Sequence, residues 1–150
     1  MDGPRNTKLS CENSITEKIV ELSHDAYKKD YGISVNRRLS VDLVYNCVKG
    51  QDSVLPERNE SKKNLIDSSV SLYFHVHPSI SCKKKRNGVL LEIPGDKKMF
   101  FTYTGGNLTL EKSTYIGNFF EPQDITKLVI ENSVQQSESK ISWKIEELID

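Results

Sequence analysis

Hydrophobic and polar positions alternate with a period of two along much of this chain. Leu39, Val41, Leu43 and Tyr45 alternate with Ser40, Asp42 and Val44, and Val70, Leu72, Phe74 and Val76 follow the same rule. Successive strand side chains point to opposite faces, so this pattern predicts half-buried β-strands. Residues 89–93 predict a further strand, Pro94-Gly95-Asp96-Lys97 a turn, and residues 99–103 the returning arm of a hairpin. Thr104-Gly105-Gly106-Asn107 turns the chain again, and residues 108–115, 126–131 and 140–148 extend the series. Two segments have mixed periodicity, residues 15–22 and the tail, where Ile141, Ile145 and Leu148 also fit one side of a helix. Strand is the more consistent reading for both, because Trp143 and Ile145 alternate with Ser142 and Lys144 and no other helix is apparent. Short strands separated by Gly, Pro, Asn and Ser predict an all-β sandwich or barrel. The stripes through Leu39, Leu72, Phe74, Leu108 and Leu110 are its expected core.

Length adds that residues 1–150 make one domain, with the polar stretch 56–69 as a surface loop and not a linker. Lys plus Arg (21) balances Asp plus Glu (21), so no global field draws the protein to nucleic acid or an anionic membrane. No run approaches the roughly 18 apolar residues of a membrane span, and the N-terminus has no apolar run for a signal peptide, so a cytoplasmic location is expected. Cys11, Cys47 and Cys82 are odd in number and widely spaced, which favours free thiols over a disulfide framework or a zinc knuckle.

Particular strings then narrow the class. Ser23-His24-Asp25-Ala26-Tyr27, followed by Tyr31-Gly32 and Arg37-Arg38-Leu39, resembles a Ser-His-Asp-Gly-Tyr, aromatic-Gly and paired-arginine pattern of the heparinase II/III family of polysaccharide lyases. Gly50-Gln51-Asp52 resembles that family's Gly-Glu-Asp, and Phe74-His75-Val76-His77-Pro78 its Phe-His-Leu-His-Pro. The run from Gly105 to Tyr115 resembles a Gly-Gly, Leu-x-Leu-Glu-x-Ser-x-Tyr string, and Lys140-Ile141-Ser142-Trp143 a final Lys-x-x-Trp strand. Order and spacing agree from about Gly3 onward, although Ala26 stands where the family favours Gly.

The resemblance implies the family's C-terminal antiparallel β-sandwich without its catalytic half. Similar enzymes carry a helical toroid and then a central β region with His-rich and Asp motifs, and none of these maps onto the present residues. The resemblance thus leaves room for a sandwich lacking its first strands, with an exposed edge that tends to pair or aggregate. Family lyases cleave uronic-acid glycans by β-elimination: the uronate carboxyl is neutralised, a Tyr or His base removes the C5 proton, and the leaving oxygen is protonated. These groups come mainly from the toroid, and some members add a zinc held by two His and an Asp. No catalytic residue, cofactor or metal ligand is therefore assigned here.

The internal candidates for substrate binding are His24, Tyr27, His75 and His77. His24, Asp25 and Tyr27 place an imidazole, a carboxylate and a phenol within one turn; the plainer reading is that His24 and Asp25 cap a turn while Tyr27 packs on the sandwich. His75 and His77 share a strand face with Tyr73, but no third zinc ligand is visible, which favours packing or solvent-facing roles. Lys83-Lys84-Lys85-Arg86, just before Asn87-Gly88, reads first as a solvated hairpin tip and second as an anchor for an acidic sugar chain. Three functions follow. The first is the C-terminal sandwich of a heparinase II/III-like lyase, inactive alone and partnered by a separate chain carrying the toroid and central β region. The others are a free-standing acidic-glycan-binding module and a truncated gene product without activity.

Overall fold

The structure, a computed structural model, describes residues 3–56, 68–117, 121–134 and 138–148. Its strands are β1 (Thr7–Asn13), β2 (Glu17–His24), β3 (Ile33–Asp42), β4 (Cys47–Pro56), β5 (Ser69–His75), β6 (Ser81–Lys85), β7 (Gly88–Ile93), β8 (Lys97–Thr104), β9 (Asn107–Ile116), β10 (Pro122–Ser133) and β11 (Ser139–Glu147). One helical turn, α1 (Lys28–Tyr31), joins β2 to β3 and stops at Gly32, whose φ of 66° is a left-handed conformation that glycine adopts without Cβ strain.

These strands form two antiparallel sheets of unequal width. Eight strands pair in the order β1-β2-β3-β4-β11-β8-β7-β6, and three in the order β5-β10-β9. The period-two pattern sets the register, because a slip of one residue would turn every apolar side chain to the wrong face. Val41, Val48, Ile145, Phe101 and Val89 accordingly lie in one cross-strand row of the wide sheet. The core sits where the narrow sheet covers the wide one: Leu72, Leu108, Leu128 and Ile130 from above meet Val89, Leu91, Phe101 and Ile141 from below. Phe74 reaches across to Phe101 and Trp143 with ring centroids 5.0 Å away in each case, both edge-on. Such pairs contribute about 0.5–1.5 kcal/mol beyond burial.

The sandwich, the hairpin turn at 94–97, the turn at 104–107, which carries the chain from the wide sheet to the narrow one, and the strand reading of the tail all agree with the periodicity. Four details differ. Leu43 and Tyr45 lie in the turn after β3, where the Asp42 carboxylate accepts the N–H groups of Val44 and Tyr45 and Asn46 has φ 45°; local side-chain capping overrides the alternation there. Leu39 is only half-buried and stands outside the core, whose buried members among the described residues come from β5 and the strands from β7 to β11, with Val76. Lys83 to Lys85 belong to edge strand β6, and the turn itself falls at Arg86 and Asn87 while Gly88 opens β7. Strands β1, β4 and β6 carry too many polar residues on both faces for periodicity to single them out. Most of the stretch expected as a loop, residues 57–67, lies outside the described residues.

Candidate functional site

A groove of about 610 Å³ opens where the narrow sheet ends and the wide sheet continues. Its floor is the inner face of β2, β3 and β4, with Leu22, Val35 and Val54; one wall is β5. Its mouth carries His24, Tyr27 and Tyr31 from the β2–α1–β3 corner. His24 and Tyr27 are candidate binding residues on the sequence, and the fold brings them together with ring centroids 5.8 Å apart; Tyr31 follows at 6.3 Å from Tyr27.

The corner is held from outside the groove. Asp25 Oδ1 accepts the backbone N–H groups of Arg5 and Asn6, each at 2.9 Å, and Oδ2 accepts the Asn6 side-chain amide at 2.7 Å. Those donors, Asn6 foremost, hold the Asp25 carboxyl below its usual value. The Ala26 N–H donates to His24 Nδ1 at 3.3 Å, so the neutral ring carries its proton on Nε2. His24 and Asp25 therefore serve the turn, while Tyr27 keeps 37% of its surface exposed at the groove mouth.

A buried carboxylate lies deeper, among residues that sequence reasoning quoted for their resemblance and did not place in a site. Asp52 is 6% exposed and faces Arg37 across the β3–β4 ladder. Arg37 Nε donates to Asp52 Oδ1 at 2.5 Å, and the Trp143 indole N–H donates to Oδ2 at 3.2 Å. Trp143 is kept there by Gly50: a Cβ on Gly50 would stand 2.1 Å from the indole Cε2, so only glycine lets the ring lie flat over β4. The sequence does carry a signal for this set, a charged residue at core parity (Arg37 between Val35 and Leu39) and a glycine two residues before an acid. Recognising it requires knowing that β3, β4 and β11 are neighbours, which sequence periodicity does not provide.

His75 and His77 stand elsewhere. Both are exposed; His75 pairs with Lys127 of β10, and His77 Nδ1 is 2.8 Å from Ser79 Oγ, with its ring 5.6 Å from that of Tyr115. Among the described residues, no group of three or more His, Cys, Asp or Glu stands ready to hold a metal. Lys83 is spent on Glu92 at 2.8 Å, and Lys84 Nζ donates to the Leu108 carbonyl at 3.0 Å, so half of the basic run serves the fold. On the outer face of the wide sheet, Arg38, Lys49 and Lys144 edge a polar trough of about 430 Å³ with Ser40, Gln51 and Thr102.

The groove offers an imidazole and phenols. Its one lining guanidinium among the described residues already neutralises Asp52 and is not available to a uronate. A base without a charge-neutralising partner does not make the set that elimination next to a carboxylate needs.

Residues 4–144 match the family model described as heparinase II/III-like, C-terminal. Among solved structures, the heparinase III BT4657 gene product superposes with a TM-score of 0.74 at 11% identity, over 95% of this chain and 21% of that one. The same protein with methylated lysines gives a TM-score of 0.73 at 11% identity, over 96% and 21%. At that identity the likeness shows the fold alone, and the chain spans about a fifth of the length of the heparinase III chains it matches. No curated protein matches significantly.

Proposed function

The chain belongs to the heparinase II/III-like C-terminal family, and from that premise we propose that it is the C-terminal β-sandwich portion of a polysaccharide lyase acting on uronic-acid glycans by β-elimination. In this reading it is silent alone and becomes part of an active enzyme when a companion region supplies the helical toroid and central β region.

One observation carries the reading. Among the described residues no layer covers the inner face of β1, β2 and β3, which is largely apolar apart from Lys18, His24 and Arg37: Leu9 is 65% exposed, Val20 39% and Val41 37%, beside half-buried Leu22, Val35 and Leu39. A contiguous apolar face of this kind marks a surface that another protein element covers. The groove's chemistry agrees, since it has no cation free for a uronate among its described lining residues.

The test is reconstitution. The chain is expressed alone and together with a polypeptide carrying a toroid and central β region, and unsaturated uronate is followed by ultraviolet absorbance. Activity of the pair, with neither member active alone, is expected; a pair that binds yet cleaves no acidic glycan sinks the lyase reading.

A second reading, an acidic-glycan-binding module, rests on the outer trough, where Lys49 stands between Arg38 and Lys144, which are paired with Glu21 at 3.6 Å and Glu146 at 2.8 Å. Retention of the isolated chain on immobilised heparin, lost at moderate salt and weakened in Lys49→Glu, is its expected mark.

A further inference from the structure

We infer that the free edge of β5 receives an extended peptide segment, which joins the narrow sheet as a fourth strand and covers the bare inner face of β3 and β2. The backbone ladder fixes which groups are available. The Val76 N–H donates to the Thr126 carbonyl at 3.0 Å, and the Val134 N–H to the Ser68 carbonyl at 2.8 Å. In an antiparallel pair, residues that bond their partner alternate with residues that direct both N–H and C=O away from it. With those two pairs as bonded positions, Val70, Leu72 and Phe74 face β10, and Ser69, Ser71 and Tyr73 turn their backbone groups into the groove. Among the described residues no strand pairs with that edge.

The floor decides the chemistry of the occupant. Leu9, Val20, Leu22, Val35 and Leu39 lie in neighbouring rows of the wide sheet, on the side that faces the groove. The one guanidinium among them, Arg37, is neutralised by Asp52. A further cation of this face, Lys18, stands beyond these floor residues in the row of Val41, so a sugar chain or phosphate meets charge only at the margin, whereas a strand fits on both counts: its backbone completes the β5 edge and its alternate apolar side chains rest on the floor. Sheets pack about 10 Å apart, which is the depth one further strand fills.

The occupant is a segment of the lyase outside the stretch matched here, with apolar residues at every second position. This rests on the lyase reading above. It draws on the coverage of the solved heparinase III chains, of which this chain overlays 21%, so that most of the similar enzyme lies outside the overlay and has to abut it somewhere. The bare floor and the open edge converge on one side of the sandwich, and that is where the contact falls.

The experiment uses the whole 150-residue chain, ¹⁵N-labelled, with overlapping 12-residue synthetic peptides that tile the heparinase III chain outside the overlaid 21%. At least one alternating peptide is expected to slow amide exchange at Ser69, Ser71 and Tyr73 by tenfold or more and to shift the signals of Leu9, Val20 and Leu39. Ser71→Pro removes one outward N–H without touching a backbone bond to β10, the hydroxyl lost with it making only a long 3.5 Å bond to Glu131, and should abolish that protection. Val20→Lys, at an exposed position, should weaken it at least tenfold while the fold persists by circular dichroism. Binding without protection at those amides, or no binding by any peptide, overturns the inference. So does protection of the same amides in the peptide-free chain together with a dimeric mass, which would make a second copy the occupant. The lyase reading fails separately: a companion that docks through this edge yet yields no activity sinks that reading alone. An active pair unaffected by Ser71→Pro sinks strand addition alone.

Discussion

The two halves of the wide sheet are built from the same strand grammar and end in different states. In β11, β8 and β7, inward residues such as Ile141, Phe101 and Val89 are at most 1% exposed. In β1 and β2, Leu9 and Val20 occupy the same face and stand in solvent. The difference is not one of hydrophobicity but of width, since a three-stranded sheet cannot roof eight strands. The bare arm is held by its ladder and by polar staples at its ends, Asp25 to Arg5 and Asn6, and Ser14 to Glu17. Its apolar face adds little until something covers it.

Substitutions that measure this contrast rank by how much burial or pairing they remove. Phe101→Ala, in the aromatic cluster between the sheets, should cost about 3–5 kcal/mol in denaturant unfolding, because the cavity cannot collapse against two rigid sheets. Asp52→Ala should cost about 2 kcal/mol, toward the low side for a broken buried pair, since Arg37 is half-exposed and can turn to water. A double-mutant cycle with Arg37→Ala should then return a coupling, whereas additivity would show that the pair is merely structural decoration of the groove. Gly50→Ala should cost about 1–3 kcal/mol by displacing Trp143, and the indole emission should shift to the red as its N–H leaves Asp52.

The arm's staple should respond to acid. Asp25 is held below its ordinary value of 3.8, so its contribution is complete above that pH and is lost as pH falls through the lower folded value. Amide exchange at Arg5 and Asn6 should therefore quicken in that acidic window before the core opens, and Asp25→Asn should abolish the pH dependence. Smallest of all, Val20→Ala in the isolated chain should change stability by less than about 0.5 kcal/mol. A cost comparable with that of Phe101→Ala would mean that the arm is already covered and would erase the contrast.

Much of this was legible along the chain. Residues 70–76, 89–93, 99–103 and 108–115 announced strands because packing on one face imposes period two directly on the sequence. The turns at 94–97 and 104–107 announced themselves because Gly95 and Gly105 adopt positive φ, a demand that falls on residue type. His24 and Tyr27 reached one site because they are close in sequence. His75 and His77 did not, because they stand outside the groove on β5 and the turn after it, and alternation alone does not say what a face looks onto.

By itself, then, the sequence determined the all-β class, the alternation of faces along its central strands and, through several ordered motifs, the family resemblance. These are local properties: each depends on a residue's own backbone or its near neighbours. Only the tertiary structure decided that Arg37, Asp52 and Trp143 share one polar knot, that Leu39 leaves the core, and that β5 turns an open edge toward a bare apolar floor. Those outcomes depend on which strands are neighbours and where one sheet stops above another. Strand order and layer width arise from contacts between residues far apart in the chain, and no window of sequence contains both partners.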